Sequence, residues 1–223
     1  MINSIEEASG WAAVCLNEGT SCQMHTQGDN LGHEPGVRFG RTLVIPTADS
    51  IFEQRADAIV TPANRRGVMG VGVAGQVRIR GGAEIEREAM AMAPLVLGSA
   101  IATSAGALSE FGTNAIIHAV ISDALGSPTR EHIVREATTA ALQMADRKRL
   151  RSIVMPPLGS GPGSGRLGSD TVLLVMTEEI VAHLRRFTSR LDRIMLVCRD
   201  QRDVRDLEHA LIEARRLWWG LQV

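Results

Sequence analysis

The sequence predicts a three-layer α/β/α domain, with helices on both faces of a mostly parallel sheet. Short β-branched runs alternate with helical patterns along nearly the whole chain after residue 41. The runs are apolar throughout instead of alternating, as strands covered on both faces are. The chain has 223 residues, 44% of them hydrophobic, enough for one sizeable core.

The strand-like runs are residues 42–45, 58–61, 100–103, 115–120, 152–155 and 194–198. Between them lie helical patterns. The first covers 73–80 and resumes over 83–92 after the Gly81-Gly82 break. The clearest covers 129–147, with Ile133, Ala137, Ala141 and Met144 on one face and Thr129 at the N-cap position. Patterns over 169–187 and 201–217 complete the set. Residues 1–36 differ: 2–16 suit a short helix, and 17–36 are polar and rich in Gly, Thr, Gln, Asn and His. The expected organisation is an N-terminal extension, 1–36, followed by one domain, 37–223. Trp218-Trp219, an apolar pair near the end, is expected to pack on the domain or on a second subunit.

Composition excludes several function classes. A net charge of −1 provides no global basic field, so nucleic acid is not an expected partner. No apolar run approaches the roughly 20 residues that span a bilayer, so no membrane partner is expected. No basic region followed by an apolar stretch marks a signal peptide. Cys15, Cys22 and Cys198 form no CxxC pair, which reads as reduced and cytoplasmic. Cys15, Cys22, His25 and His33 fit no common zinc spacing, so neither metal nor cofactor is expected. Tyrosine is absent and Lys148 is the sole lysine, which argues against Schiff-base and phosphate-loop lysine chemistry. His118, in an apolar strand, reads as a satisfied core histidine, and the Arg185-Arg186 and Arg215-Arg216 pairs as solvated helix faces.

Two glycine loops carry the functional signal. After the 58–61 strand runs Thr61-Pro62-Ala63-Asn64-Arg65-Arg66-Gly67-Val68-Met69-Gly70-Val71-Gly72-Val73-Ala74-Gly75. Its glycines let backbone amides approach a ligand, and the following helix aims its positive end at the same place. The competing reading is a turn that serves only chain reversal. The Gly70–Gly75 stretch matches GxGxxG literally, but Gly70 comes nine residues after Thr61 and no acid ends a following strand, so the dinucleotide fingerprint fails. After the 152–155 strand runs Pro156-Pro157-Leu158-Gly159-Ser160-Gly161-Pro162-Gly163-Ser164-Gly165-Arg166-Leu167-Gly168. Arg166-Leu167 stands where a nucleoside-triphosphatase loop needs Lys and Ser or Thr. Two amide-rich loops at the ends of parallel strands point to one shared crevice and a nucleotide diphosphate.

These residues resemble the macrodomain family. Asp57-Ala58-Ile59-Val60-Thr61-Pro62-Ala63-Asn64 and Met69-Gly70-Val71-Gly72-Val73-Ala74-Gly75 are similar to "DAIVNAAN" and "GGGVAG". Asn114-Ala115-Ile116-Ile117-His118-Ala119-Val120 is similar to "YVIHAV", and Ser152-Ile153-Val154-Met155-Pro156-Pro157-Leu158-Gly159-Ser160-Gly161 to "SIAFPALGTG". The resemblance runs from about residue 41 to 213. It implies a macrodomain with a mixed, mostly parallel sheet that binds ADP-ribose, free or on protein; the alternative is a hydrolase acting on ADP-ribosylated protein or O-acetyl-ADP-ribose. It further implies Asp49 on the adenine amino group, with Ser50 and Ile51 beside it. It places Asn64 on the distal ribose and in any catalysis, and Gly70, Val71, Gly72 and Val73 along that ribose and one phosphate. Gly159, Ser160, Gly161, Pro162, Gly163 and Ser164 would lie on the pyrophosphate, and Arg199 over the adenine. The sequence departs from the pattern at Thr61 and Pro62, at Val71 in place of the middle glycine, and at Ala74, where the hydrolase subgroup often carries aspartate.

Overall fold

A computed structural model describes residues 36–161 and 167–219. In chain order the elements are β1 Val37–Phe39, β2 Thr42–Thr47, β3 Ala58–Asn64, α1 Gly72–Gly81, α2 Ala83–Ala91 and β4 Ala100–Thr103. A 3-10 turn at Gly106–Phe111 follows, then β5 Ala115–Ser122, α3 Glu131–Arg147, β6 Ser152–Met155, α4 Ser169–Arg186, β7 Arg193–Val197 and α5 Gln201–Trp219. The strands form one sheet in the order β1-β2-β7-β6-β3-β5-β4. The pairs from β2 to β5 are parallel; β1 on β2 and β4 on β5 are antiparallel.

Covering both faces explains the unbroken apolar runs. Ala58 and Val60 of β3, Ile153 and Met155 of β6, and Ile194 and Leu196 of β7 join the core under α3, α4 and α5. The residues between them, Ile59, Val154 and Met195, join the core under α1 and α2. In α3 the buried stripe is Val134, Ala137, Ala141, Leu142 and Ala145, centred one residue after the predicted face; Ile133 and Met144 are half-buried.

The structure corrects three expectations. β1 was not predicted, because three residues next to a glycine-rich turn carry no periodic signal; it pairs Val37 with Val44 at the sheet edge. The N-cap of α3 is Arg130, not Thr129, and the Thr129 hydroxyl is buried without a partner. β3 continues through Pro62 to Asn64. Proline is tolerated there because β6 pairs only with Ala58 and Ile59, so Pro62 lies beyond the doubly paired stretch. Trp218 packs edge-on against Phe39 with ring centres 5.5 Å apart, which docks α5 on β1. The side chain of Trp219 and residues 1–35, with Cys15, Cys22, His25 and His33, lie outside the described residues.

Candidate functional site

The sheet order places the predicted site segments along one edge. β2, β7, β6, β3 and β5 are successive neighbours, four strand spacings or about 19 Å across. Their C-terminal ends lead, in that order, into Asp49-Ser50-Ile51, Cys198-Arg199, the second glycine loop, the first glycine loop and the 123–128 turn. From the central pair β6 and β3 the chain proceeds to opposite sides, the switch point at which open α/β sheets bind ligands.

Asn64 builds the first loop. It is 3% exposed, and its carboxamide donates to the Val68 carbonyl at 2.8 Å and accepts from the Arg66 and Val68 amides at 3.0 and 3.4 Å. One N–H of the carboxamide remains for a ligand. Gly67 has φ +72°, and a Cβ there would lie 2.7 Å from the Ala89 backbone. Glu86 reaches the loop base: one oxygen accepts from the Met69 amide at 2.7 Å and the other pairs with Arg78 at 2.6 Å. Glu86 thus supports the loop from below and is not among the residues that line the crevice. Beyond the base, a Cβ on Gly70 would meet Leu125 at 2.7 Å, so the 123–128 turn closes over the loop. Val71 precedes α1 as its N-cap residue and is 56% exposed. No side chain caps α1, which leaves its first amides directed at the crevice.

In the second loop the Leu158 amide lies 3.3 Å from the Met176 sulfur. Gly159 has φ +97°, and a Cβ there would lie 2.6 Å from the Thr129 methyl carbon, so glycine lets this loop close on the start of α3. The Ser160 hydroxyl points back to the Pro157 carbonyl at 3.5 Å, and Gly161 is half-buried. Pro162, Gly163, Ser164 and Arg166 lie outside the described residues. α4 starts at Ser169 without a side-chain cap, a second positive helix end behind the loop.

At the far end the Cys198 amide donates to the Thr47 carbonyl at 2.6 Å, tying the segments after β2 and β7 together. Asp49 is exposed, and one of its carboxylate oxygens accepts from the Thr47 hydroxyl at 2.9 Å. Ile51 is buried, whereas the Ser50 amide is already turned to Glu53 at 3.3 Å. Arg199 is exposed, with Asp200 and Asp203 at 3.7 and 3.9 Å. Asp200 accepts from the Arg202 and Asp203 amides, which hold its carboxyl below the usual range. Burial pushes the Cys198 thiol up to about 12, so it is inert as a nucleophile at neutral pH.

The crevice beside the first loop is narrow, about 50 Å³, and is lined by Pro62, Asn64, Val71, Ala74, Ser122 and Leu125 among others. None of these side chains is a general base. His118 is 1% exposed and its Nε2 lies 2.9 Å from the Thr103 hydroxyl, so it is the satisfied core histidine expected. Among the described residues no group of three or more His, Cys, Asp or Glu is placed to hold a metal, and no helix is long and apolar enough to cross a membrane.

The family model for the Macro domain matches residues 60–168. An uncharacterized protein of Aquifex aeolicus is 41% identical over 174 residues, covering 78% of this chain and 95% of the relative. An uncharacterized protein of Aeropyrum pernix is 33% identical over 174 residues, covering 78% and 87%. Among solved structures, the Oceanobacillus iheyensis macrodomain with ADP superposes with a TM-score of 0.68 at 19% identity, covering 81% of this chain and 96% of that one. The Trypanosoma brucei macrodomain in complex with ADP-ribose gives 0.65 at 21% identity, covering 77% and 71%. At these identities the structures speak for the fold, and the matched model and relatives for the family: the chain belongs to the macrodomain family.

Proposed function

We propose that the protein binds ADP-ribose, free or attached to protein, along the C-terminal edge of its sheet. The observation that carries this reading is the linear order of unlike subsites across neighbouring strands. An acid and an apolar wall stand after β2, amide-rich loops after β6 and β3, and a small polar-apolar crevice lies between β3 and β5. That order matches a base, a pyrophosphate and a terminal sugar. The O. iheyensis and T. brucei structures, named with ADP and with ADP-ribose, support the reading. Asp49 takes the adenine amino group, Arg199 stacks on the base, Gly159, Ser160 and Gly161 with Pro162, Gly163 and Ser164 hold the pyrophosphate, and Gly70, Val71, Gly72, Val73 and Asn64 hold the distal ribose. Calorimetry with ADP-ribose, ADP and NAD tests it: ADP-ribose is expected to bind most tightly, and no heat with ADP-ribose at millimolar concentration overturns the reading.

Asp49→Ala removes the acceptor for the adenine amino group. Leaving that donor unpaired costs about 1–3 kcal/mol, so affinity is expected to fall about tenfold or more. The exposed Asp49 contributes little to the fold, so the melting temperature of the free protein is expected to hold. Unchanged affinity would place the adenine elsewhere.

The same geometry argues for binding with at most slow hydrolysis. Attack at the distal ribose needs a group to take a proton from water, and the crevice beside Asn64 offers only a ligand phosphate or the Asn64 amide. General-base assistance contributes roughly 10²–10⁴-fold. Ala74 lines the crevice, so Ala74→Asp is expected to raise turnover of mono-ADP-ribosylated protein in a gel assay. Fast wild-type turnover that disappears in Asn64→Ala would instead make this an enzyme.

A further inference from the structure

We infer that the opposite edge of the sheet is a binding face for single-stranded nucleic acid. The net charge of −1 conceals a segregation. Residues 1–36 hold five acids and no Lys or Arg, so residues 37–223 carry 24 basic against 20 acidic side chains. The fold then gathers cations at the N-terminal ends of the parallel strands. The α3–β6 connection brings Arg147, Lys148, Arg149 and Arg151 there, all exposed. The α4–β7 connection brings Arg185, Arg186, Arg190 and Arg193, also exposed. Arg38 and Arg41 flank the β1–β2 turn at the same end.

Neighbouring acids are already engaged. Asp192 is shared by Arg41 at 2.7 Å and Arg151 at 2.8 Å, which sets three adjacent strands, β2, β7 and β6, in one charged row about 10 Å wide. Asp146 is turned inward, to His183 at 2.8 Å, the Ser189 hydroxyl at 2.8 Å and the Arg190 amide at 2.9 Å. Asp57 accepts from the Arg151 and Ser152 amides at 2.6 and 3.0 Å. Glu53 and Glu110 lie beside Arg193 and Asp57 on the same side, so the ten basic side chains named above face five acids and the excess is positive. Arg149 holds φ +58°, the left-handed conformation that ends α3.

Phe187 selects the partner. It follows Arg186 directly in sequence, and its ring lies tilted against that of His183 with centres 5.0 Å apart, which leaves about half of the side chain open to solvent. Cations that match a phosphate backbone, with an aromatic ring and planar guanidinium groups that stack on bases, are the elements of single-strand binding. An anionic bilayer would use the charge but not the stacking.

Fluorescence anisotropy of the full chain with labelled single-stranded RNA and DNA oligonucleotides tests this. Binding is expected at 50 mM salt and is expected to weaken steeply by 200 mM, as phosphate contacts do. The pair Arg149→Glu and Arg190→Glu avoids the Asp192 ion pairs and is expected to weaken binding at least tenfold, while Arg87→Glu on α2 leaves it unchanged. Phe187→Ala is expected to weaken it severalfold with the salt slope retained. ADP-ribose calorimetry on the same variants is expected to be unaltered, which separates this face from the crevice. Absence of binding at 50 mM salt, insensitivity to the double reversal, or binding to phosphatidylserine vesicles alone would overturn the inference.

Discussion

Asn64→Ala is expected to lower ADP-ribose affinity on the order of a hundredfold, more through loosening of the first loop than through the lost ribose contact. The side chain holds the Val68 carbonyl and the Arg66 and Val68 amides, and removing it leaves three backbone groups of one tight turn unpaired. A buried polar group without its partner costs about 1–3 kcal/mol, so the free protein is expected to lose stability of that order too. The rest of the effect is entropic. Gly70 and Val71 follow directly on this turn, and a loop that is not already ordered must be ordered by the ligand. Calorimetry reads the affinity, and amide exchange over 65–71 reads the order. Slow exchange in those amides combined with the affinity loss would mean that Asn64 acts by touching the ribose, through its one uncommitted N–H. Unchanged affinity would remove Asn64 from the site altogether.

That dual use of one carboxamide marks where the sequence stops being legible. The strands could be read because burial on both faces leaves long β-branched runs, and the two glycine loops because close backbone approach demands glycine whatever surrounds it. Partnerships across the fold leave no such trace. Nothing in the spacing of Glu86 says that it holds the Met69 amide, since its oxygen arrives from a helix 17 residues later. Nor does the sequence show that Leu125 closes over Gly70, a contact set by the turn after β5. Thr129 illustrates the opposite failure: a good capping residue stands one position too early, because the chain closes against Gly159 instead, and Arg130 takes the N-cap position. Pro62 is a third case. Proline in a central strand reads as a strand end, and only the early termination of β6 pairing makes room for it. Where a residue's role depends on what two loops do together, the local pattern contains half the information.

The buried histidine gives a pH dependence whose sign follows from its surroundings. His118 lies on β5, directly paired with Thr61 of β3, and burial pushes its imidazole down to about 4, with Glu88 opposing weakly. In the unfolded chain it titrates near 6.5. Between these values the unfolded chain holds the proton and the folded one does not. Stability due to the neutral ring is therefore complete above about pH 6.5, declines as pH falls, and is lost by about pH 4. At 1.36 kcal/mol per pH unit the span is worth about 3 kcal/mol, a large share of the stability of a domain this size. Urea unfolding of the wild type at pH 7 and pH 4 is expected to show that loss beyond the change in a His118→Gln variant, which cannot take up the proton. Equal losses in the two proteins would mean that the folded state accepts the proton on His118. The Thr103 hydroxyl beside its Nε2 carries no charge to offset such a proton, and Glu88 is the acid whose charge favours it.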